Sequence, residues 1–158
     1  MPMLNRIVQE KRILPLLILL LITAPALGAE AELELSITDV RSDQGHVLVA
    51  LHRYHEGATW QDEPCHVAEI AALDRKDNTL HYHFTGLVSG HYAIRLFHDL
   101  NDNQVIDRNR AGVPLEPFAF SLAEDAGAVV LPMLEQALLD VSPGRNVVEL
   151  ELRHPQTR

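Results

Sequence analysis

Cysteine is almost absent from this sequence, which has one, Cys65, in 158 residues. An intramolecular disulfide is therefore impossible, and the fold must be stabilised by apolar packing, for which 47% of the residues are hydrophobic. Pro64 precedes the cysteine and an apolar stretch begins at Val67. This context predicts that the thiol is buried as a small apolar group.

A hydrophobic run long enough to cross a membrane is also lacking. A spanning helix takes roughly 20 apolar residues, whereas the run of residues 13–22 is shorter and contains Pro15. Basic residues precede this run and small residues fill the stretch 23–29. This order predicts a cleaved signal peptide over residues 1–29, and hence a periplasmic or secreted protein. No cysteine near the cut marks a lipoprotein.

Positive charge is scarce as well, with 13 Lys and Arg against 22 Asp and Glu. The formal net charge is −9, and it becomes −11 without residues 1–29, which carry three basic residues and one acidic residue. Such a surface repels nucleic acid and anionic lipid and favours cations. We expect one monomeric domain over residues 30–154 and a disordered tail at 155–158, without membrane association after cleavage.

Hydrophobic and polar residues alternate through much of the chain after residue 30. This period of two is typical of strands with one buried face, and two such sheets pack face to face. The prediction is an all-β fold, an antiparallel β-sandwich of about seven strands. The clearest alternations occupy residues 32–38, 46–52, 79–84, 91–97 and 148–153.

Four connecting or ambiguous segments complete this prediction. Residues 43–45 predict a turn that joins the first two strands, and residues 86–90 predict the next turn. Residues 67–73 suit either a strand or a helical turn. Residues 135–141 are predicted as a strand, with a short helix over 134–139 as the alternative.

The long irregular segment from Asp99 to Leu131 contains oxygen-bearing side chains at regular spacing. Four of them stand at positions 1, 3, 5 and 9 of a calcium loop of the EF-hand type, and a backbone carbonyl is available at position 7. Ca²⁺ takes six to eight oxygen ligands, which alternate residues of a curled loop can supply. The predicted ligands are Asp99, Asn101, Asn103, the Val105 carbonyl and Asp107.

Two positions of this loop depart from the EF-hand pattern. Gln104 stands where glycine eases the turn, and Arg110 stands where a bidentate glutamate belongs. Glu116 is the candidate replacement ligand. We therefore expect calcium, if bound, to bind weakly. The alternative is a cluster of Asx turns, in which the side chains hydrogen-bond their own backbone.

The same segment resembles a known family. The stretch His98–Ser121 is similar to the signature of the domain of unknown function 2141 family, although Gln104 and Ala119 replace the usual glycines. The stretch Phe84–Ile94 also resembles the strand–turn–strand of prealbumin-like and carboxypeptidase-regulatory-like domains. The resemblance extends over Leu33–Leu152 and implies an exported bacterial protein with a prealbumin-like or Ig-like sandwich. It implies no assigned activity.

All nine histidines lie after residue 30. His81 and His83 share one exposed face of a predicted strand, and a neighbouring strand that brought His46 or His91 alongside would give a copper or zinc site. The alternative is an exposed polar face. His98 could orient a ligand carboxylate or hydrogen-bond the backbone at a strand end.

Catalytic motifs are missing from the sequence. Cys65 and His66 are adjacent on an extended chain and so point apart, and no nucleophile elbow, zinc-protease or phosphate-loop motif is present. We therefore predict a non-catalytic exported binding or accessory module. In it the loop, ordered by calcium, presents Phe118 and Phe120 to a protein or cell-envelope partner. The alternatives are a metal-dependent hydrolase that uses the loop carboxylates and a copper- or zinc-binding protein that uses the histidine face.

Overall fold

A computed structural model describes residues 30–122 and 131–155. The predictions for residues 1–29 and 156–158 lie outside these ranges. Two short 3₁₀-helices occupy Ala72–Asp74 and Leu134–Ala137. The described strands are β1 (Glu30–Thr38), β2 (His46–Arg53), β3 (His66–Ala71), β4 (Leu80–Val88), β5 (Gly90–Asp99), β6 (Phe118–Phe120), β7 (Leu138–Val141) and β8 (Gly144–Glu151).

The strands form two packed sheets, which confirms the predicted sandwich. The first sheet has the order β4-β1-β8, and the second has the order β3-β2-β5-β6. Strands β6 and β7 pair with the same edge of β5, β7 near the start of β5 and β6 nearer its end. All pairs are antiparallel except β1–β8, which is parallel from Ala31–Gly144 to Thr38–Glu151.

Four connections between the described strands cross from one sheet to the other, β1–β2, β3–β4, β4–β5 and β7–β8, and two of them contain predicted turns. β1 and β2 lie in different sheets, so residues 43–45 do not close the predicted hairpin. β4 continues to Val88, beyond the predicted start of the turn, and β5 then begins in the opposite sheet at Gly90. In the first crossing Gly45 adopts a φ of +69°, and a Cβ built there would lie 1.9 Å from the Asp99 carbonyl oxygen.

The core lies between the facing sides of the two sheets. Alternate residues of each strand point inward, as the sequence period predicts, and Leu33, Leu35 and Ile37 meet Val47 and its neighbours there. A second apolar cluster covers part of the outer face of the second sheet. It consists of Ala58, Trp60, Ala93, Leu134 and Ala137.

The two ambiguous segments each contain both structures that the sequence allowed. Residues 66–71 are strand β3 and residues 72–74 a 3₁₀-helix. Residues 134–137 are a 3₁₀-helix and residues 138–141 strand β7. The short strand β6, inside the segment predicted to be irregular, was missed because three residues are too few for an alternation to show.

No helix within the described residues is long and apolar enough to span a membrane.

Candidate functional site

The acidic loop, residues 99–116, leaves the end of β5 and is anchored at its start by a buried carboxylate. Asp99 is 1% exposed. Its Oδ1 accepts a hydrogen bond from the Asn103 backbone N–H at 3.1 Å, and its Oδ2 accepts one from the Gln104 N–H at 2.7 Å. The carboxylate therefore curls the first half of the loop around itself, since buried polar groups must be hydrogen-bonded.

Glu116 anchors the other end of the acidic loop. It is 4% exposed, its Oε1 accepts the Leu100 N–H at 2.9 Å and its Oε2 accepts the Asp107 N–H at 3.0 Å. These bonds join the beginning, middle and end of the loop through one side chain. The sequence pattern gave no sign that Asp99 and Glu116 are buried, because the surrounding residues do not alternate.

The exposed part of the loop brings three of the predicted ligands together. Asp107 accepts hydrogen bonds from Asn101 Nδ2 at 2.8 Å and from Asn103 Nδ2 at 3.3 Å. The Asn101 and Asn103 Oδ1 atoms accept the backbone N–H groups of Asn103 and Val105 at 3.2 and 2.8 Å. These are the Asx turns that the alternative interpretation predicts.

The ligand set is therefore partly assembled. The side chains of Asn101, Asn103 and Asp107 converge. Both carboxylate oxygens of Asp99 and of Glu116 instead accept backbone N–H groups. Within residues 30–122 and 131–155, no group of three or more His, Cys, Asp or Glu is placed to hold a metal ion. Any cation at this loop would depend on amide and backbone oxygens beside Asp107.

The two departures from the EF-hand pattern have different consequences. Gln104 adopts a φ of +62°, the left-handed conformation that glycine would adopt without strain, so the sharp turn forms despite the substitution. Arg110 is exposed to solvent. Glu116, the candidate replacement ligand, is buried in the interior of the loop.

Two histidines lie near the start of the acidic loop, and one of them, His46, connects the loop to the sheet. His46, at the start of β2, donates from Nδ1 to Asp102 Oδ1 at 2.7 Å, and this bond raises the pKa of His46. His98, buried at the end of β5, donates from Nε2 to the Gln44 carbonyl at 2.7 Å. Of the two roles considered for His98, the structure shows the backbone bond.

An apolar groove of about 480 Å³ runs along the outer face of the second sheet, beside the acidic loop. Val105 and Ile106 of the loop form one wall of the groove, and Val67 of β3 also lines the groove. The floor consists of Leu48 and Ala50 from β2, Arg95 and Phe97 from β5, and Phe118 and Phe120 from β6. We refer to it below as the outer groove.

Sequence reasoning missed the outer groove, although one signal was present. Strand β2 has Leu48 and Ala50 on the face opposite Val47 and Val49, so both of its faces are apolar. A strand that is apolar on both sides is covered on both sides or lines a binding surface. Phe118 and Phe120, which the sequence analysis assigned to partner contact, are both part of the floor.

A larger concavity of about 800 Å³ lies near β8, and its lining is polar. Within it, the Asp39 carboxylate already pairs with a guanidinium and an imidazole. Arg41 Nη2 donates to Asp39 Oδ2 at 2.7 Å, and His154 Nε2 donates to the Asp39 carbonyl at 2.9 Å. The outer groove, whose lining is mainly apolar, is therefore the stronger candidate for a ligand site.

The histidine cluster that the copper- or zinc-binding alternative requires does not form. β4 pairs with β1, which places Ser36 Oγ 3.1 Å from His81 Nδ1 and Glu32 Oε2 3.2 Å from His83 Nε2. His46 and His91 lie in the opposite sheet. His81 and His83 are exposed, as predicted.

The prediction that Cys65 is buried is wrong, because the residue is exposed. Its Sγ nevertheless lies against the backbone and donates to the Leu51 carbonyl at 3.2 Å. Partial burial of the thiol raises its pKa, so the thiolate is less available than that of a fully solvated cysteine.

Comparison with known proteins identifies the family. A family model described as "Uncharacterized protein conserved in bacteria (DUF2141)" matches residues 35–149. No curated protein and no solved structure matches the chain. The matched span contains the acidic loop and the lining of the outer groove. The resemblance noted in the sequence is therefore confirmed, and the chain belongs to the DUF2141 family.

Proposed function

We propose that this protein is an exported, non-catalytic binding module whose ligand, a component of the cell envelope, occupies the outer groove. The observation that carries the proposal is the groove itself, a concavity of about 480 Å³ with an apolar floor. Ligand sites are typically concave, mostly apolar and largely preformed, with volumes of about 300–1,000 Å³.

The hydrogen bonds of the acidic loop support a preformed site. Val105 and Ile106 can act as a fixed wall because Asp99 and Glu116 hold the backbone on both sides of them. A wall that is ordered before the ligand arrives reduces the entropy lost on binding.

The same hydrogen bonds support a non-catalytic role. A general base needs an oxygen directed at the proton that it removes. The oxygens of Asp99 and Glu116 instead accept backbone N–H groups, and Asp107 accepts two amide groups. These carboxylates contribute to the structure of the loop.

Binding of a neutral fluorescent probe, N-phenyl-1-naphthylamine, tests the proposal. We expect its fluorescence to rise on binding to the wild type, and Val67→Asp to weaken binding by about tenfold or more, because a charge would enter an apolar site. Val67 is 66% exposed, so the substitution spares the core.

Val147→Asp is the matched control for this experiment. Val147 is 67% exposed on β8 of the opposite sheet and lies outside the groove. We expect it to bind the probe as the wild type does. Failure of the wild type to bind, or equal losses in the two variants, would overturn the proposal.

A weak calcium site in the acidic loop is a second candidate. The convergence of Asn101, Asn103 and Asp107 favours it, since a cation there could replace the amide donors and turn the amide oxygens inward. Without an acidic residue at position 12 we expect a Kd on the order of 10⁻⁴–10⁻³ M. Calcium would then fix the groove wall.

Thermal unfolding in chelator and in excess calcium tests this second candidate. Ligand binding to the folded state alone adds about 2.7 kcal/mol at a hundredfold excess over Kd. Asp107→Ala should abolish the rise in melting temperature and Arg110→Glu should enlarge it, whereas Asp74→Ala, an exposed change elsewhere, should preserve it. Equal melting temperatures of the wild type in the two conditions would contradict calcium binding.

A further inference from the structure

One charged side chain lies in the floor of the outer groove. Strand pairing sets Arg95 of β5 between Ala50 of β2 and Phe120 of β6, and Val67 of β3 continues the same row. Arg95 is thus a cation in a row of apolar neighbours. Its Cζ lies 6.0 Å from the centroid of the Trp60 ring.

Within the described ranges Arg95 has no hydrogen-bonded or ion-paired partner, and its ring contact with Trp60 leaves the N–H donors free. Burial lowers the pKa of its guanidinium, which nevertheless stays protonated at neutral pH. A half-buried charge without a counter-ion costs free energy in the ligand-free protein. A group that lowers stability in this way is commonly retained because it is needed for function, such as ligand binding.

The charge of the groove is opposite to that of the molecule. The chain has a net charge of −9, yet the described residues that line the groove include Arg95 and Arg108 and no Asp or Glu. Arg108 lies at the rim and donates from Nη1 to the Gly112 carbonyl at 2.9 Å. A ligand that matches this surface has an apolar body and one negative group.

We propose that the outer groove binds a single-chain aliphatic carboxylate, with the carboxylate on Arg95 and the chain along Leu48, Phe97 and Phe118. This inference rests on the proposed function and adds the chemical class of the ligand. The planar guanidinium fork matches a carboxylate with two parallel hydrogen bonds. A monoanion balances Arg95 alone, whereas a phosphate dianion would also need Arg108, whose Nη1 already donates to the Gly112 carbonyl.

Calorimetric titration with decanoate and with its neutral analogue decanol tests the inference. A charge-assisted hydrogen bond in a partly desolvated site should make decanoate bind about tenfold or more tightly than decanol. Acetate, which has the head group without the chain, should not bind measurably. Equal affinities for decanoate and decanol would overturn the inference and leave the apolar groove as the ligand site.

Arg95→Met is the decisive variant, because methionine keeps an apolar stem of similar shape without the charge. It should lose the preference for decanoate and bind decanol at least as well as the wild type does. It should also raise the melting temperature of the ligand-free protein, since it removes a half-buried charge that has no partner among residues 30–122 and 131–155. A lowered melting temperature with an unchanged preference for decanoate would contradict the role of Arg95.

Arg110→Met is the matched control, since it removes the same charge from an exposed position of the acidic loop outside the groove. It should retain the preference for decanoate. Loss of the preference in both variants would mean that net charge sets the affinity, and the inference would fall. If the wild type binds none of the three compounds, the neutral probe, decanol and decanoate, both the inference and the proposed function are wrong.

Discussion

The acidic loop and the histidine face of β1 and β4 are both polar regions that the sequence indicated as possible metal sites. They differ in burial and in their hydrogen-bond partners. In the loop, Asp99 and Glu116 are buried and hold four backbone N–H groups. On the histidine face, His81 and His83 are exposed and pair with Ser36 and Glu32 of the neighbouring strand.

The difference shows what decides whether a polar cluster is structural. A buried carboxylate that loses a backbone donor leaves unsatisfied groups in a poorly hydrated environment, whereas an exposed pair that separates is hydrated by water. The loop is therefore expected to be sensitive to single substitutions, and the histidine face to tolerate them. Single substitutions in the two regions test this contrast.

Gly45→Ala should be the most damaging change at the loop. It combines a φ of +69° with a Cβ 1.9 Å from the Asp99 carbonyl oxygen, so the backbone beside the anchor must move. We expect a loss of roughly 3 kcal/mol or more in the free energy of unfolding, measured by urea denaturation. Gly57→Ala, at a φ of +80° with nothing within 4 Å, should cost only about 1 kcal/mol.

Glu116→Gln should cost about 1–3 kcal/mol, because one of its two acceptor oxygens becomes an amide group that faces a backbone N–H. The exposed Glu63→Gln, a chemically identical change, should stay within about 0.5 kcal/mol. Similar losses in the two variants would show that burial of the Glu116 carboxylate does not matter for stability.

His46 should give a smaller, pH-dependent effect on the attachment of the loop. The hydrogen bond to Asp102, followed by the charges of Asp102, Glu69 and Asp99, raises the pKa of His46. Its contribution is therefore complete below the unfolded pKa of about 6.5 and is lost as the pH rises through the higher folded value. Titration followed by NMR should show the raised pKa, and Asp102→Asn should lower it.

His83→Gln should produce the smallest effect of the series. Its ion pair with Glu32 at 3.2 Å is exposed on both sides, and surface pairs of this kind contribute about 0–1 kcal/mol. We expect the urea midpoint to shift by no more than the scatter between repeats. A loss as large as that of Glu116→Gln would remove the distinction between the two regions.

Most strands were predictable from the sequence, because alternation such as Leu33-Glu34-Leu35 reports directly which side is buried. Strand partners were not predictable. The residues 43–45 look like a hairpin turn, but the chain crosses to the other sheet there, and nothing local indicates that β8 pairs in parallel with β1. Pairing depends on how distant segments meet, which a local period does not encode.

The site was predictable in part for the same reason. The spacing of Asn101, Asn103 and Asp107 correctly indicated that their side chains converge. The burial of Asp99 and Glu116 depends on how the loop folds over the sheet. The position of Arg95 beside Ala50 and Phe120 depends on the register of three strands, so the outer groove emerged only from the structure.

The parallel pair of β1 and β8 has a consequence for the time course of folding. β1 lies at the centre of its sheet, and one of its edges is covered only by β8, which the ribosome delivers after all the other described strands. Until β8 is present, the backbone N–H and C=O groups of that edge are unpaired and can bind a strand of another chain. The nascent chain therefore stays open to chaperones, and to aggregation, until β8 has been synthesised.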